Sequence, residues 1–319
     1  MAVAGDQSVS DRSTGASTVG EGSRDVAMAP NPFIDMELAA LRGSRYDGAA
    51  RSRFWTALRL RARENAAARP DLRAELRFER WLGAILALGV GFELWREGVP
   101  AILAVVLLPL GWLVVMAWVG VELGLVRHPV TGSPGPRIGP ANLMTLYRGW
   151  AAVPVLLIGL SRPGPTLAWV ALCLAAGVTD FADGLVAVRL GHESRLGRVL
   201  DPVLDACFFS AAAVGLARWG LFPTWLAVLI ALRYFAPVVG GLALMFIQGR
   251  TLPVKHTPWG QRSTVAIGFA LLVNWAAGLV AIPIAAILIL DGSALLTMAL
   301  ALLSILRDAP TRIAAGERA

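Results

Sequence analysis

Apolar runs of 18 or more residues recur along this chain, and a run of that length has few places to go. A helix of about 20 apolar residues crosses the ~30 Å hydrocarbon core of a bilayer. Soluble domains carry about 25% charged residues, whereas this chain of 319 residues is 16% charged and 56% hydrophobic, with a mean hydropathy of +0.62. No soluble fold needs so many long apolar runs, so the chain reads as an all-α polytopic membrane protein. The net charge of +7 is then a matter of membrane topology, and no basic-plus-aromatic nucleic-acid motif accompanies it. Cys173 and Cys207 fall in apolar segments without ligand spacing and read as packing residues.

The residues before the first apolar run divide in two. The first 30 are rich in Gly, Ser, Ala and Asp and hold no apolar signal core, and 1–45 is expected as a disordered cytoplasmic tail. Residues 46–80 are helix-prone and rich in arginine, with Phe54, Trp55, Leu58 and Leu60 interspersed. That pattern suits either a helix on an anionic membrane surface or a solvated helical linker. Eight spans follow, near 81–97, 99–125, 142–160, 165–187, 197–217, 222–247, 263–282 and 284–306. Residues 309–319 form a short tail.

Positive charge is distributed unevenly between the connections. One set holds Arg127, Arg137, Arg189, Arg195, Arg198, Arg250, Lys255 and Arg262, and the tail adds Arg307, Arg312 and Arg318. The other set holds only Arg96, Arg162 and Arg218. The positive-inside rule therefore places both termini in the cytoplasm.

The stretch "GVTDFADGLVAVRLGHESRLGRVLDPVLDACFF" sits on that cytoplasmic side and carries Asp180, Asp183, Asp201 and Asp205. A carboxylate inside a membrane helix costs about 2.5–3.5 kcal/mol on insertion scales. Asp180 and Asp183 are three apart and share one helix face, and Asp201 and Asp205 are four apart and share another. The short turn "LGHESRLG" makes the two helices antiparallel neighbours, so the pairs can converge. Four converging carboxylates do not all stay ionised without cations. Hard ions such as Mg²⁺ or Mn²⁺ take oxygen ligands and accept phosphate beside them. Small residues and arginines nearby suit an anionic, phosphorylated ligand. His192 and His256 read as solvated loop residues.

The same stretch resembles the signature of the CDP-alcohol phosphatidyltransferase family, D-x-x-D-G-x-x-A-R-x8-G-x-x-x-D-x-x-x-D. Asp180, Asp183, Gly184, Ala187, Gly197, Asp201 and Asp205 match it at the family spacing. One position departs: the family arginine would be residue 188, which is Val188, and Arg189 follows it. "GPANLMTLYRGWAAVP" is similar to the entry of the family's first core helix, through Asn142, Thr145 and Arg148. "LRYFAP" places Arg233 where phosphatidylglycerol phosphate synthases have a related arginine, and "WGQRST", with Gly260, Arg262 and Thr264, is similar to their G-K-x-K-T.

The resemblance implies a six-helix catalytic domain over 138–308, preceded by two extra spans over 81–126. It implies transfer of a phosphatidyl group from CDP-diacylglycerol to an alcohol, with release of CMP. Asp180, Asp183, Asp201 and Asp205 would hold two ions, Mg²⁺ or Mn²⁺, and Asp205 would also act as general base. Asn142, Thr145, Gly184, Ala187, Arg189 and Gly197 would hold the nucleotide and diphosphate. Arg148, Arg233 and Arg262 would bind a phosphorylated acceptor. Glycerol 3-phosphate is the favoured acceptor, with inositol phosphate and phosphatidylglycerol as alternatives. Expected partners are these substrates and membrane lipids, no nucleic acid, and a homodimer as an open expectation. The expected location is a bacterial plasma membrane with a cytoplasmic active site. A non-catalytic or transport protein on the same fold is the competing class, favoured by Val188 and opposed by the complete aspartate set.

Overall fold

The computed structural model describes residues 32–121, 126, 137–162, 164–190, 194–250 and 257–317, apart from the side chains of 121, 180–190, 195, 198–199 and 308–317. The described residues form helices and no strand. They are α1 (Pro32–Gly43), α2 (Gly48–Ala67), α3 (Pro70–Arg96), α4 (Leu108–Val121), α5 (Pro140–Ser161), α6 (Leu167–Leu190), α7 (Arg195–Arg218), α8 (Thr224–Gln248), α9 (Pro258–Ala277) and α10 (Ile284–Glu317). A π-helical stretch, Ile102–Leu107, leads into α4. Pro109 follows it and has no N–H to give to the preceding turn. Five segments among the described residues are long and apolar enough to cross a bilayer: Ile102–Gly120, Pro140–Ser161, Leu200–Arg218, Thr224–Gln248 and Ile284–Arg307. The fold is thus the all-helical, polytopic one that the apolar runs demand. α6 contributes a shorter apolar stretch, Leu167–Thr179.

Helix α5 lies at the centre, packed on α6 and α7, while α8 packs on α7 and α10 on α9. Small residues let α5 and α7 touch through their backbones. A Cβ placed on Gly159 would lie 2.7 Å from the Cα of Gly215, an approach that only glycine permits. Tryptophans pin the rest, each donating its indole N–H to a main-chain oxygen: Trp169 to Val155 at 3.1 Å and Trp219 to Arg162 at 2.8 Å. Within α9 and α10, Asn274 donates to Asp291 at 2.8 Å. That bond satisfies two polar groups which lipid could not.

The α3–α4 hairpin leans on α5. Trp112 is fully buried, stacks on Tyr147 with centroids 4.6 Å apart, and donates to the main-chain oxygens of Glu79 and Arg80 at 3.3 and 3.1 Å. Glu75 accepts from the Ile138 N–H at 2.9 Å, and Tyr147 donates to Glu79 at 3.3 Å. These contacts fix how the chain enters α5.

Two expectations about the ends are corrected. Residues 32–43, expected within a disordered tail, form α1. Its Leu38 and Leu41 bury with Ala50 and Phe54 of α2 against Met245 and Phe246 of α8. Arg42 donates to the Gln248 carbonyl at 2.9 Å, and Tyr46 donates to that of Phe246. Apolar side chains at helical spacing acquire a partner here that lies about 200 residues away in sequence. The C-terminal tail is not a separate segment, because α10 runs on as helix to Glu317. The arginine-rich stretch is helical as expected, but α3 starts at Pro70, well before the apolar run. A proline at the first helical position and Asp71 in the first turn account for that start.

Candidate active site

The site is built where α5 and α7 begin. Asp201 and Asp205 lie one turn apart on α7, as their spacing requires. Both turn toward α5 and meet Arg148, which is 3% exposed. The Arg148 Nη2 atom is 3.0 Å from Asp205 Oδ1 and 4.0 Å from Asp201 Oδ1. One guanidinium nitrogen therefore stands between two carboxylates. A buried arginine is strongly unfavourable without such partners, and a converging acid pair is equally so without a cation. Pro202, between the two acids, leaves the helix ladder one N–H short at this point.

A second polar link holds the same ends together. Ser194 caps α7: its hydroxyl accepts from the Gly197 N–H at 3.0 Å and donates to Asn142 Oδ1 at 2.8 Å. The amide nitrogen of Asn142 donates to the Ile138 carbonyl, and Thr145 donates to the Ala141 carbonyl at 3.1 Å. Asn142 and Thr145 are both 3% exposed. Gly197 is needed for this closure, because a Cβ there would lie 2.6 Å from Asn142 Oδ1. Ser194 was not singled out in the sequence, although a serine just before a helical run is an N-cap signal.

Arg233 approaches from α8. Its Nε donates to Ser263 Oγ and one terminal nitrogen donates to the Gly260 carbonyl, both at 2.8 Å. The guanidinium lies 4.2 Å from the Tyr234 ring centroid. Arg262, exposed at the start of α9, sits 4.7 Å from the Trp259 ring centroid. Arg148 thus stands with the aspartates, Arg233 with the first turn of α9, and Arg262 on the surface beside that turn. Ser263 and Tyr234 are participants that sequence reading did not isolate, while Gly260, picked out there as part of a motif, takes part through its carbonyl.

Helix α6 carries Asp180, Asp183, Gly184, Ala187, Val188 and Arg189 near its C-terminal end. Their side chains lie outside the described residues, so the expected roles of these positions stand beyond the described geometry. Among the described residues no three acids, histidines or cysteines gather as a metal group. The described half of the expected ligand set, Asp201 and Asp205, does gather its oxygens around a single positive nitrogen. An all-carboxylate donor set of this kind fits a hard divalent ion.

Comparison with known proteins agrees with this arrangement. Residues 140–308 match the sequence profile of the family described as CDP-alcohol phosphatidyltransferase. The chain is 32% identical over 165 residues to a probable phosphatidylglycerophosphate synthase of Mycobacterium tuberculosis, covering 47% of this chain and 76% of the relative. It is 33% identical over 130 residues to a CDP-diacylglycerol–glycerol-3-phosphate 3-phosphatidyltransferase of Bacillus subtilis, covering 39% and 65%. It is 37% identical over 97 residues to a CMP-forming cardiolipin synthase of Streptomyces coelicolor, covering 29% and 45%. No solved structure matches the chain. The match spans α5 to α10 and takes in every side chain described at the site, so this chain belongs to the CDP-alcohol phosphatidyltransferase family.

Proposed function

We propose that the chain transfers the phosphatidyl group of CDP-diacylglycerol to glycerol 3-phosphate and releases CMP, at the cytoplasmic face of the membrane. The observation that carries the reading is the meeting of Asp201 and Asp205 with Arg148 inside the matched region. Two relatives of the longer matches are named for glycerophosphate chemistry, which favours glycerol 3-phosphate as acceptor.

In the reaction an acceptor oxygen forms a bond to the β-side phosphorus of the donor, and the bond from that phosphorus to the CMP oxygen breaks. CMP leaves with the electron pair. The acceptor's hydroxyl proton passes to Asp205, the nearer of the two described acids to the buried cation. Asp180, Asp183, Asp201 and Asp205 would hold two divalent ions, which when bound supply charge neutralisation for the diphosphate. Arg148 balances Asp201 and Asp205 between turnovers and presents a cation on the α5 side for the acceptor phosphate. Asn142, held by Ser194, keeps the start of α7 against α5, so the two acids keep their separation from Arg148. Arg233 orients the first turn of α9, leaving Arg262 as an exposed cation for the acceptor. Positioning and charge neutralisation supply most of the rate in phosphoryl transfer.

The match to a protein named cardiolipin synthase supports a second acceptor, phosphatidylglycerol. The test is to supply purified protein with labelled CDP-diacylglycerol, Mg²⁺ or Mn²⁺, and glycerol 3-phosphate, inositol phosphate or phosphatidylglycerol, and to measure CMP. Release with glycerol 3-phosphate, lost in EDTA and in Asp201→Asn and Asp205→Asn, is expected. Release with phosphatidylglycerol alone would assign the second acceptor, and no release with any alcohol would return the chain to the non-catalytic class.

A further inference from the structure

A continuous line of hydrogen bonds runs from α3 to the first turn of α7. The Glu75 carboxylate accepts from the Ile138 N–H at 2.9 Å. The Ile138 carbonyl accepts from the Asn142 amide nitrogen, and Asn142 Oδ1 accepts from the Ser194 hydroxyl at 2.8 Å. Ser194 Oγ in turn accepts from the Gly197 N–H at 3.0 Å. Ile138, Asn142 and Ser194 are all buried, so bulk water does not stand in for their partners. Asp201 follows Gly197 by about one helical turn and Asp205 by about two. Glu75 and Ile138 lie outside the matched region, 140–308, so the line reaches the catalytic helices from the extra hairpin. Among the described residues Glu75 forms no ion pair.

Local sequence does not hold Ile138 in place. Gly139 follows it at φ 85° and ψ 153°, a conformation open to glycine and almost no other residue. Glycine is also the least restrained hinge in a backbone, and Gly139 gives α5 no side-chain cap. The orientation of Ile138 therefore comes from its two partners, Glu75 and Asn142. A bond from a backbone N–H to a carboxylate is roughly twice as strong as a neutral one, which makes Glu75 the firmer of the two. Past Asn142 the line has no slack, because a Cβ on Gly197 would lie 2.6 Å from Asn142 Oδ1. A shift of Ile138 is passed to Asn142, to Ser194 and to the helix that carries the two acids. We propose that Glu75 is a positioning residue for the transferase site, holding Asp201 and Asp205 in place against Arg148 through Ile138, Asn142 and Ser194. The effect on turnover rests on the phosphatidyl transfer proposed above, and the effect on α7 does not.

The test uses the purified full-length protein and two readouts. One is hydrogen exchange over residues 194–201, followed by mass spectrometry, and the other is CMP release from CDP-diacylglycerol with glycerol 3-phosphate. Glu75→Ala should speed exchange at the start of α7 by about tenfold. It should lower kcat by about 10–100-fold, as for partners that orient the ligands of a metal site, with kcat falling more than KM rises. Glu75→Gln keeps an oxygen for the Ile138 N–H and should recover most of both losses. Ser194→Ala breaks the line from the other end, and adding Glu75→Ala to it should lower kcat little further. Glu93→Ala removes an exposed carboxylate from the far end of α3 and should change neither readout. If Glu75→Ala does not fold, Glu75→Asp keeps the charge, withdraws the oxygen by one methylene, and should show the same two losses at smaller size. Exchange that rises only in α3 and around Ile138, glutamine no better than alanine, or losses from Glu75→Ala and Ser194→Ala that multiply would each overturn the proposal. Wild-type protein that releases no CMP with any alcohol would overturn the phosphatidyl transfer, and the exchange comparison would still decide the line to α7.

Discussion

Gly197 faces Asn142 across the α5–α7 contact with no room for a methyl group. Family resemblance gives that glycine to the donor nucleotide, and the geometry gives it to helix packing as well. The two roles separate in a double-mutant cycle. Gly197→Ala should destabilise the protein by about 1–3 kcal/mol through overpacking, and adding Asn142→Ser should restore stability by making room. Donor affinity that returns together with stability assigns the glycine to packing, and stability that fails to return contradicts the clash. Glu79 is a different kind of residue, outside the spans and half-buried. Burial raises its carboxyl above the usual range, the hydrogen bond from Tyr147 opposes that, and the charge of Glu75 adds to it. A raised folded value means that the protonated acid favours the fold. That contribution is present at acid pH and is lost as pH rises through the folded value. Glu79→Gln, which can still accept from Tyr147, should raise the apparent unfolding temperature at pH 8 and give no gain near pH 4. A gain independent of pH would contradict the assignment.

At the scale of elements, the α3–α4 hairpin acts as a clamp on α5. Among the described residues it supplies no group to Asp201 or Asp205, yet Trp112 stacks on Tyr147, the neighbour of Arg148, and Trp150 of α5 donates to the Leu108 carbonyl at 3.3 Å. Trp112→Ala should cost about 3–5 kcal/mol, in the range of large core truncations, with a parallel loss of turnover as Arg148 loses its support. Trp118, 40% exposed on the same helix, is the control, and its replacement by alanine should change the unfolding temperature little. Similar losses in both variants would show that the hairpin acts through the bilayer and not through α5. The existence of this hairpin was legible from its apolar runs. Its grip on α5 was not, because ring stacking and indole hydrogen bonds leave no period in a sequence.

For the whole molecule, the starts of α5 and α7 and the end of α6 lie at one end of the bundle. Among the connections between spans, those at that end hold more of the arginines than those at the other, which supports a cytoplasmic site. A cysteine placed in 190–196 or 251–259 should therefore react with an impermeant thiol reagent only from the cytoplasmic side, and one at Gly164 only from outside. The reverse pattern would put a nucleotide donor on the wrong face of the membrane and contradict the proposed reaction.

The sequence by itself determined that the chain crosses the membrane as helices, because only intrahelical hydrogen bonds satisfy a backbone in lipid. It also determined that Asp201 and Asp205 share a face, because a spacing of four is one helical turn. Tertiary structure alone decided what that face meets. Arg148 comes to the two acids, and Ser194 comes to Asn142 across 52 residues, because α5 and α7 close on each other through Gly159 and Gly215. It likewise decided that α1 and α2 dock on α8 and do not trail into water. Periodicity records which side chains lie on one side of one helix. Partners brought together from distant helices depend on packing, which a single period does not encode.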